Sequence, residues 1–383
     1  MQDTLFQFLL KPITNQLMTE CTKRFRSDYD VVNFDTLSHL QTMVFAHFNE
    51  LKSLRTLEIA INSQQIGLAC KARRSTLSDA NRMRPAECFF WILQQLMFLL
   101  PRKMRKNVNK VVKLLDSTPI KLKGTGYDEW IKQYATAHWQ GLKLHVEFDL
   151  ELESPTKVAV SYANYNDSSM GQRWPITPDI IYVFDKGYCD YNWWWSIEQK
   201  QAFFVTRLKN NAAVTMESEK KIVSEIILED TTFKFKNKQP RGGKKNLYIR
   251  SLRRIVVKRE GKSPLILVTN LLDVPSEIIA SLYKNRWEIE LFFKWIKQNL
   301  RIKKFLGMSA NAVKIQLATA LITYVLIQLL KNNSKDQKSL QHILVWIRFN
   351  FYRQVPPRIR HGDPPIYLIP KQRLLINREG VYL

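Results

Sequence analysis

Three acidic residues occupy positions that suit chemistry on phosphate groups. Asp116 and Asp185 each end a short apolar run, residues 111–116 and 180–185, and such runs predict buried strands that finish on a carboxylate. Glu290 lies in a later segment with helical periodicity. Cutting a phosphodiester bond requires an activated oxygen nucleophile and a stabilised leaving oxygen, which two Mg²⁺ ions about 4 Å apart supply when carboxylates hold them. We therefore predict that these three residues are catalytic and bind two Mg²⁺ ions, with Mn²⁺ as a substitute.

Each acidic residue taken alone is weak evidence. An Asp at the end of a strand more often caps a turn or a helix than acts as a catalyst. Glu290 by itself fits an ordinary surface ladder, in which Arg286, Glu290 and Lys294 pair at four-residue spacing. Other chemistries have less support, because the six histidines show neither zinc-ligand spacing nor a nucleophile motif. The prediction therefore depends on the three acids occurring together.

The segment from residue 281 to 304 is predicted to be one helix with two distinct faces. At about 100° per residue, its apolar residues form a stripe that can pack against a sheet, and Glu288 points away from it. The apolar residues are Leu282, Ile289, Phe293, Ile296 and Leu300. The polar face consists of Tyr283, Arg286, Glu290, Lys294, Lys297 and Arg301. A surface ladder does not explain this excess of cations over one acid, whereas a DNA-facing site does, because cations bind phosphates while the acid binds metal.

The charge of the chain indicates a polyanionic partner. Its 383 residues include 59 Lys and Arg against 34 Asp and Glu, a net charge of +25, and nucleic acid is the usual partner of such a protein. A cationic protein without such a partner remains the alternative. Two basic segments are candidate DNA contacts, residues 71–84 and 234–259, although each run also fits a solvated cationic face. Their representatives are Arg82, Arg84, Lys244, Lys245, Arg253 and Arg254.

The rest of the pattern predicts a protein with both helices and strands. Helical periodicity covers the first 72 residues or so, and short β-branched or alternating runs predict strands at 142–150, 157–162, 202–206, 232–235, 247–250, 254–258 and 265–269. Two glycines at 242–243 predict a turn between the runs 232–235 and 247–250. The apolar stretch 317–330 is shorter than the ~20 residues of a membrane span and predicts a buried helix.

The cysteines and the N-terminus indicate the compartment. Cys21, Cys70, Cys88 and Cys189 show no paired spacing, so the sequence predicts neither a zinc site nor a disulfide framework. They are predicted to be small core residues of a cytoplasmic protein, and the N-terminus lacks the pattern of a signal peptide.

Several motifs resemble those of a known family. Tyr283, Arg286, Glu290 and Lys297 have the spacing of the Y-R-E-K signature of the IS4 family of bacterial insertion-sequence transposases. The block at 185–190 is similar to the D-R-G-Y-x-D block of that family, with Lys186 in place of Arg. The Asp-Ser-Thr block at 116–118 and the basic segment at 75–82 also resemble it. The resemblance covers about residues 70 to 330.

The resemblance implies a fold and a domain plan. It implies an α/β protein with an RNase H-like mixed-sheet core, a β-rich insertion and a helical N-terminal DNA-binding domain. The predicted divisions are a helical DNA-binding region at 1–107, the first part of the catalytic core at 108–190, the β-rich basic insertion at 191–275, the helical return of the core at 276–330 and a C-terminal region at 331–383.

The resemblance also implies an activity. Asp116, Asp185 and Glu290 would bind two Mg²⁺ ions, and Tyr283, Arg286 and Lys297 would contact phosphates near the cut. The family moves DNA by cut-and-paste, through a 3′-hydroxyl and a hairpin that needs a flipped base. In this chain Phe233, Phe235 or Tyr248 would have to stack that base, because the insertion lacks Trp between Trp195 and Trp287.

The expected partner is double-stranded DNA, both as terminal inverted repeats and as target. A homodimer is expected on DNA, no membrane is expected, and the expected location is the bacterial cytoplasm, in association with the nucleoid. Two other functions remain open at this point: a nuclease on the same core, and a non-catalytic relic or repressor that occupies the element ends.

Overall fold

The computed structural model describes residues 3–63, 71–102, 110–209, 211–220, 224–236, 245–300, 302–333, 338–354 and 381–382. The helices are α1 (Leu5–Leu10), α2 (Asn15–Phe25), α3 (Thr36–Phe48), α4 (Leu54–Ser63), α5 (Arg74–Met83), α6 (Ala86–Met97), α7 (Asp128–Ile131), α8 (Asp167–Arg173), α9 (Tyr191–Gln199), α10 (Ser276–Lys284), α11 (Trp287–Asn299), α12 (Ala310–Asn333) and α13 (Leu340–Asn350). The strands are β1 (Val111–Lys121), β2 (Gly141–Asp149), β3 (Ser154–Tyr162), β4 (Ile180–Phe184), β5 (Phe203–Arg207), β6 (Val214–Glu219), β7 (Ile227–Phe235), β8 (Leu252–Val257), β9 (Leu265–Thr269) and β10 (Val381–Tyr382).

The described strands form one mixed sheet in the order β10-β3-β2-β1-β4-β5-β9-β8-β7-β6. Strands β1, β2 and β3 are antiparallel neighbours, whereas β4 and β5 run parallel to β1. This arrangement confirms the predicted α/β class with an RNase H-like core. The β-rich insertion is not a separate sheet, because β9 pairs with β5 and continues the same sheet outward through β8, β7 and β6.

The central strands are apolar on both faces, as expected for strands that helices cover on each side. On β1, Leu114 belongs to one hydrophobic core and its neighbour Leu115 to the other, because successive side chains of a strand point to opposite faces. The first core includes α11 and α12, and the second includes α9. Strand β1 continues beyond Asp116, since it stays paired with β2 as far as Lys121. The expectation that Asp116 ends its strand is therefore wrong.

Two predictions for the insertion need correction. Residues 247–250 are not a strand, because the side chain of Asn192 holds this segment by accepting from the Leu247 amide at 2.8 Å and donating to the Lys245 carbonyl at 3.2 Å. Strand β6 was not predicted from the sequence. Its residues are mostly exposed and polar, so it lacks the apolar alternation that marks a half-buried strand. The predicted turn at 242–243 lies outside the described residues.

The N-terminal helices pack on the part of the chain that contains β1, α11 and α12 and share its hydrophobic core. His47 on α3 joins the two, since its ring nitrogens lie 2.8 Å from the Leu300 carbonyl oxygen and 3.1 Å from Thr319 Oγ1 on α12. Burial lowers the pKa of His47 to about 4, so the imidazole is neutral at pH 7. The predicted boundary near residue 107 therefore separates elements that are in close contact, and it stays a prediction.

Helix α12 contains the long apolar stretch of the sequence. By length and composition it could cross a membrane, with a mean hydropathy of 1.7 in its most apolar window, but 89% of that window is buried inside the protein. The side-chain hydroxyl of Thr319 in this stretch donates to the Ile315 carbonyl, so the buried hydroxyl is satisfied within the helix. The prediction of a buried core helix is confirmed.

The helix predicted for residues 281–304 is two helices, α10 and α11. At the junction the Arg286 amide bonds the Tyr283 carbonyl and the Glu288 amide bonds the Asn285 carbonyl, so three-residue steps replace the four-residue steps of an α-helix. The predicted apolar stripe is nevertheless confirmed, since Leu282, Ile289, Phe293, Ile296 and Leu300 are all buried. Glu288 is exposed, as predicted.

The cysteine prediction is partly wrong. Cys21 on α2 and Cys88 on α6 are paired as a disulfide, although their separation of 67 residues gave no sign of it. Both are fully buried, in agreement with their predicted place in the core. Cys189 is a free thiol, and Cys70 lies outside the described residues.

Candidate active site

Strands β1 and β4 bring the two aspartates side by side. The two strands are parallel, and their last paired residues are Leu115 and Phe184. Asp116 and Asp185 are the next residue on each strand, and neighbouring strands lie only about 4.8 Å apart. Both side chains point to the face covered by α10 and α11, opposite to that of Leu115 and Phe184. The order of the chain in the sheet thus explains why residues 69 positions apart meet.

Asp116 lies in an environment that disfavours its negative charge. The pKa of this carboxyl is raised to about 7, chiefly by burial and to a smaller extent by the charges of Asp185 and Glu290. The Ser117 amide, which donates to Asp116 Oδ1 at 2.8 Å, and the Arg286 guanidinium partly offset the increase. Three carboxylates therefore share one electrostatic environment, and protein cations only partly neutralise it.

Asp185 is oriented by the tight turn that follows β4. Its Oδ1 accepts from the Gly187 amide at 2.7 Å, and the Thr206 hydroxyl on β5 donates to its carbonyl at 3.2 Å. A Cβ at position 187 would lie 2.8 Å from the same Oδ1, closer than such atoms approach in proteins. Glycine at 187 therefore allows the Asp185 carboxylate to keep this position.

Arg286 links the third acid to the strands. Its Nη2 lies 2.5 Å from Glu290 Oε1 and its Nη1 lies 3.5 Å from Asp116 Oδ2. The guanidinium is largely buried, and its Nε has no hydrogen-bond partner within the described part of the chain. Arg286 and Glu290 therefore form the predicted pair at four-residue spacing, and Arg286 also contacts Asp116 on the sheet. Lys294 is exposed and forms no ion pair with a described residue.

The three carboxylates are suitable ligands for a hard divalent cation. In this structure Arg286 contacts two of them, Asp116 and Glu290. Asp116, Asp185 and Glu290 supply carboxylate oxygens, the ligands that Mg²⁺ prefers. Over the described ranges, no group of three His, Cys, Asp or Glu side chains stands at metal-binding distances. The Arg286 guanidinium directs one Nη atom to the Asp116 carboxylate and the other to the Glu290 carboxylate. The residues fit such a cation by their chemistry and by their mutual repulsion, which Arg286 only partly relieves.

The remaining two signature residues contact neighbours of the carboxylates. Lys297, two turns after Glu290, donates to Thr118 Oγ1 on β1 at 2.5 Å. Tyr283 is buried, with the Arg286 guanidinium 5.8 Å from its ring centre, and burial raises the pKa of its phenol. Residues of the Y-R-E-K spacing are therefore gathered around Asp116, although α10 and α11 are separate helices.

A second polar cluster supports the strand beside Asp116, and sequence reasoning missed it. Asp167, at the start of α8, accepts from the Ser117 hydroxyl at 2.9 Å and from Lys143 Nζ at 3.2 Å. His145 on β2 approaches the same carboxylate, with Nδ1 at 3.7 Å, and burial lowers the pKa of this imidazole to about 4. The available signal was the serine directly after Asp116, which points to the opposite face of the strand.

The candidate DNA contacts differ in accessibility. Arg82 is exposed and pairs with Asp79, and Lys245 is also exposed. Arg84 is buried and donates to the Phe34 carbonyl at 2.5 Å, so it holds the N-terminal helices together. Lys244 and Arg301 lie outside the described residues.

The insertion arginines are tied to acids within the sheet. Arg253 is buried, with Nη2 2.5 Å from Asp230 Oδ2, and it also donates to the Val274 carbonyl. Arg254 pairs with Glu229 and is only partly exposed. We therefore withdraw Arg84 and Arg253 as DNA contacts, because both side chains are buried inside the protein.

The aromatic residues proposed for base stacking are also buried. Phe233, Phe235 and Tyr248 have exposed fractions of 0%, 7% and 1%, so none of them offers a ring face to DNA in this conformation. Trp287 on α11 is 58% exposed and follows Arg286 directly. Trp287 lies beyond the insertion, so the predicted stacking residues, which are all within the insertion, do not include it.

Known proteins match the chain over this site and beyond it. Residues 109–326 match the family model described as transposase DDE domain, and residues 1–69 match a domain of unknown function, DUF4372. A relative from Sinorhizobium fredii, named as transposase y4zB, is 39% identical over 66% of this chain and 70% of its own length. A Geobacillus stearothermophilus relative named for insertion sequence element IS5377 is 27% identical, over 74% of each chain. A Synechocystis relative named for element IS4SA is 26% identical over 67% of this chain and 71% of its own.

Proposed function

This chain belongs to the transposase DDE domain family, and from that premise we propose that it moves an insertion sequence by cut-and-paste, with Asp116, Asp185 and Glu290 as catalytic residues. As a DNA transposase it acts on DNA. The substrates in this proposal are the terminal inverted repeats of the element and the target duplex, with two copies of the chain on the DNA. The proposed location is the bacterial cytoplasm, at the nucleoid.

The observation that carries the proposal is the shared charge of the three carboxylates. Burial and two neighbouring acids raise the pKa of Asp116 to about 7. The ionised carboxylate is therefore unfavourable in the metal-free protein, a cost that a purely structural residue would not justify. Divalent cations would remove that cost by binding the same oxygens. Transposases with a DDE domain generally use divalent metal ions, and two Mg²⁺ ions are our specific choice.

Each residue has a defined task in this proposal. Asp116, Asp185 and Glu290 would hold the divalent cations, which would supply polarisation of the scissile phosphate and activation of the attacking hydroxyl. Arg286, released from its bridge between Asp116 and Glu290, turns its guanidinium to a phosphate oxygen. Lys297 supplies a second cationic contact from the next turns of α11. Tyr283 positions Arg286 by packing against it.

The decisive experiment measures strand cleavage and strand joining separately. The purified protein is incubated with a labelled duplex that carries the element end and with a supercoiled target plasmid, with Mg²⁺, Mn²⁺ or EDTA. We expect cleavage only with a divalent ion, followed by covalent joining of the 3′ end to the plasmid. Cleavage without joining of a pre-cut end would indicate a nuclease, and binding without cleavage would indicate a relic or repressor.

Single substitutions test the assignment of the carboxylates. Asp116→Ala, Asp185→Ala and Glu290→Ala should each lower the cleavage rate by a factor on the order of 10³ or more, because the loss of a metal ligand removes transition-state stabilisation. Binding to the end duplex without metal should stay within about threefold of the wild type, since these acids make no phosphate contact. Glu288→Ala is the matched control, because this acid lies two residues from Glu290 on an exposed surface. If cleavage survives one of the three substitutions, that residue is not part of the site.

A further inference from the structure

A cleft lined by lysines opens beside the candidate active site. Its volume is about 610 Å³, and its walls come from the loop after α3, the end of β1 with the turn that follows, helix α11 and the connection from α11 to α12. The lysines that line it are Lys52, Lys121, Lys123, Lys297, Lys303 and Lys304. Among the residues that the structure describes, no acid lines it. These segments are far apart in the sequence, so no basic run marked the cleft.

The positive charge of this lysine cleft is not balanced inside the protein. Lys52, Lys121, Lys123, Lys303 and Lys304 are exposed, and none of the six forms an ion pair with a carboxylate of the described residues. Burial lowers the pKa of Lys297, and the charges of Lys303 and Lys121 lower it further. The cations therefore repel one another, and an external anion would relieve the repulsion.

The position of the cleft relates it to the cut. Lys297 is seven residues after Glu290 on one helix, a distance of about 10 Å. Lys121 is five residues after Asp116 on one strand, about 17 Å away. With one phosphate per 3.4 Å of a strand that keeps its base stacking, the lysines would meet phosphates roughly three to five nucleotides from the scissile bond.

The size and lining of the cleft favour one strand over a duplex. A volume of 610 Å³ is that of a pocket for a drug-sized ligand, roughly one or two nucleotides with their phosphates. Phe305, which is partly exposed, also lines the cleft, whereas the lining residue Tyr127 is buried. Lysines with an exposed aromatic ring among them are the usual composition of a channel for unpaired nucleic acid.

We propose that the lysine cleft binds an unpaired DNA strand three to five nucleotides from the cut, with Lys52 of the N-terminal helical region as one wall. This inference rests on the proposed function, since it places the strand relative to the catalytic carboxylates. It also assigns a role in strand binding to the segment that matches a domain of unknown function. The unpaired strand is the one released when the end of the element opens next to the scissile bond.

The test compares two labelled DNA probes in EDTA, where cleavage is prevented. One is a blunt duplex of about 30 base pairs, and the other carries an unpaired thymidine tail of about five nucleotides, long enough to reach the cleft. The wild type should bind the tailed probe about tenfold more tightly, which corresponds to about 1.4 kcal/mol. Equal affinity for the two probes would overturn the proposal.

Paired substitutions locate the effect. Lys121→Gln with Lys303→Gln should reduce the tail preference to less than about twofold and should flatten the salt dependence for the tailed probe by about 1.4 log units per log unit of salt, at 0.7 for each single-strand contact. Lys23→Gln with Lys200→Gln removes two exposed lysines elsewhere and should retain the preference. An equal loss for blunt and tailed probes in the cleft variant would overturn the assignment to an unpaired strand.

A single substitution tests the N-terminal wall. Lys52→Glu should lower the tail preference while the thermal unfolding temperature stays unchanged, because this side chain is exposed. Retention of the full preference would remove the N-terminal region from the proposal. The binding assay is independent of catalysis: a protein that cleaves DNA but ignores the tail refutes only the cleft, and one that prefers the tail but never cleaves refutes only the proposed reaction.

Discussion

The insertion and the lysine cleft are both rich in basic residues, but they use their charge in opposite ways. In the insertion Arg253 and Arg254 pair with Asp230 and Glu229 on the neighbouring strand. In the cleft Lys121 and Lys303 face no acid within the described part of the chain. The insertion was the more conspicuous of the two in the sequence, because residues 234–259 contain 11 Lys or Arg and no Asp or Glu.

The difference shows that local charge density is a poor guide to where a polyanion binds. The acids that neutralise the insertion arginines lie on β7, before the basic run begins, so only strand pairing reveals them. The cleft lysines come from separate segments, and only folding gathers them. Whether a cation has an internal partner is therefore more informative than how many cations surround it.

The largest expected effect is that of replacing Arg253, which tests whether the paired arginines of the insertion stabilise the fold. Arg253→Ala should lower the free energy of unfolding by about 3–5 kcal/mol, because it leaves Asp230 buried without its partner. Thermal unfolding followed by circular dichroism measures the change, and the more exposed Arg254→Ala is the control with a smaller expected loss. A stable Arg253→Ala protein with weakened DNA binding would reverse our assignment of this residue.

A second prediction concerns the acids rather than the cations. Asp116→Asn should stabilise the metal-free protein by on the order of 1–2 kcal/mol at pH 8, because it removes a charge that the fold disfavours. Since the folded-state pKa of Asp116 is raised from 3.8 to about 7, the carboxyl stabilises the fold below pH 4, and this contribution is lost as the pH rises to 7. The advantage of the Asn variant should therefore grow across that range and then level off.

Thermal unfolding of both proteins between pH 4 and pH 8, in EDTA, measures this dependence. Addition of Mg²⁺ at pH 8 should stabilise the wild type and leave Asp116→Asn almost unchanged, since the variant lacks one ligand. A variant less stable than the wild type at every pH would mean that the Asp116 bridge to Arg286 outweighs the repulsion.

A third prediction concerns Lys297, whose loss should have a smaller effect than the loss of a catalytic carboxylate. Lys297→Ala should lower the cleavage rate about tenfold, or about 1.4 kcal/mol, which is less than the loss of a carboxylate, because a phosphate contact is removed and a metal ligand is not. Single-turnover cleavage with the end duplex measures it. Thr118→Val is the companion variant, since it removes only the acceptor that holds the lysine. A loss as large as that of Glu290→Ala would make Lys297 part of the catalytic group itself.

The smallest expected effect belongs to Arg82. Its exposed pair with Asp79 contributes little, so Arg82→Gln should change the free energy of unfolding by less than about 0.5 kcal/mol. If Arg82 contacts a phosphate of a duplex, the salt dependence of binding should fall by about 0.9 log units per log unit of salt. An unchanged salt dependence would make this cation a solvated surface residue, the alternative that the sequence left open.

The sequence predicted the sheet and the site better than it predicted the contacts around them. Apolar strand runs and the stripe on α11 are local patterns, and β1, β4 and the buried face of α11 follow from them. The break at Asn285 and the bridge from Arg286 to Asp116 depend on the distance between a helix and a strand, which periodicity does not contain. The polar edge strand β6 and the pairing of Cys21 with Cys88 likewise depend on neighbours distant in sequence.

The continuity of the sheet has a mechanical consequence. Strand β9 pairs with β5, so the insertion and the central strands form one continuous, rigid sheet rather than two domains joined by a hinge. A shortened chain that lacks residues 208–270 would leave β5 with a bare edge, and bare edges invite self-association. Length variation among relatives should therefore be confined to the loops at the tips of the insertion hairpins, where added residues do not interrupt the strand pairing of the sheet.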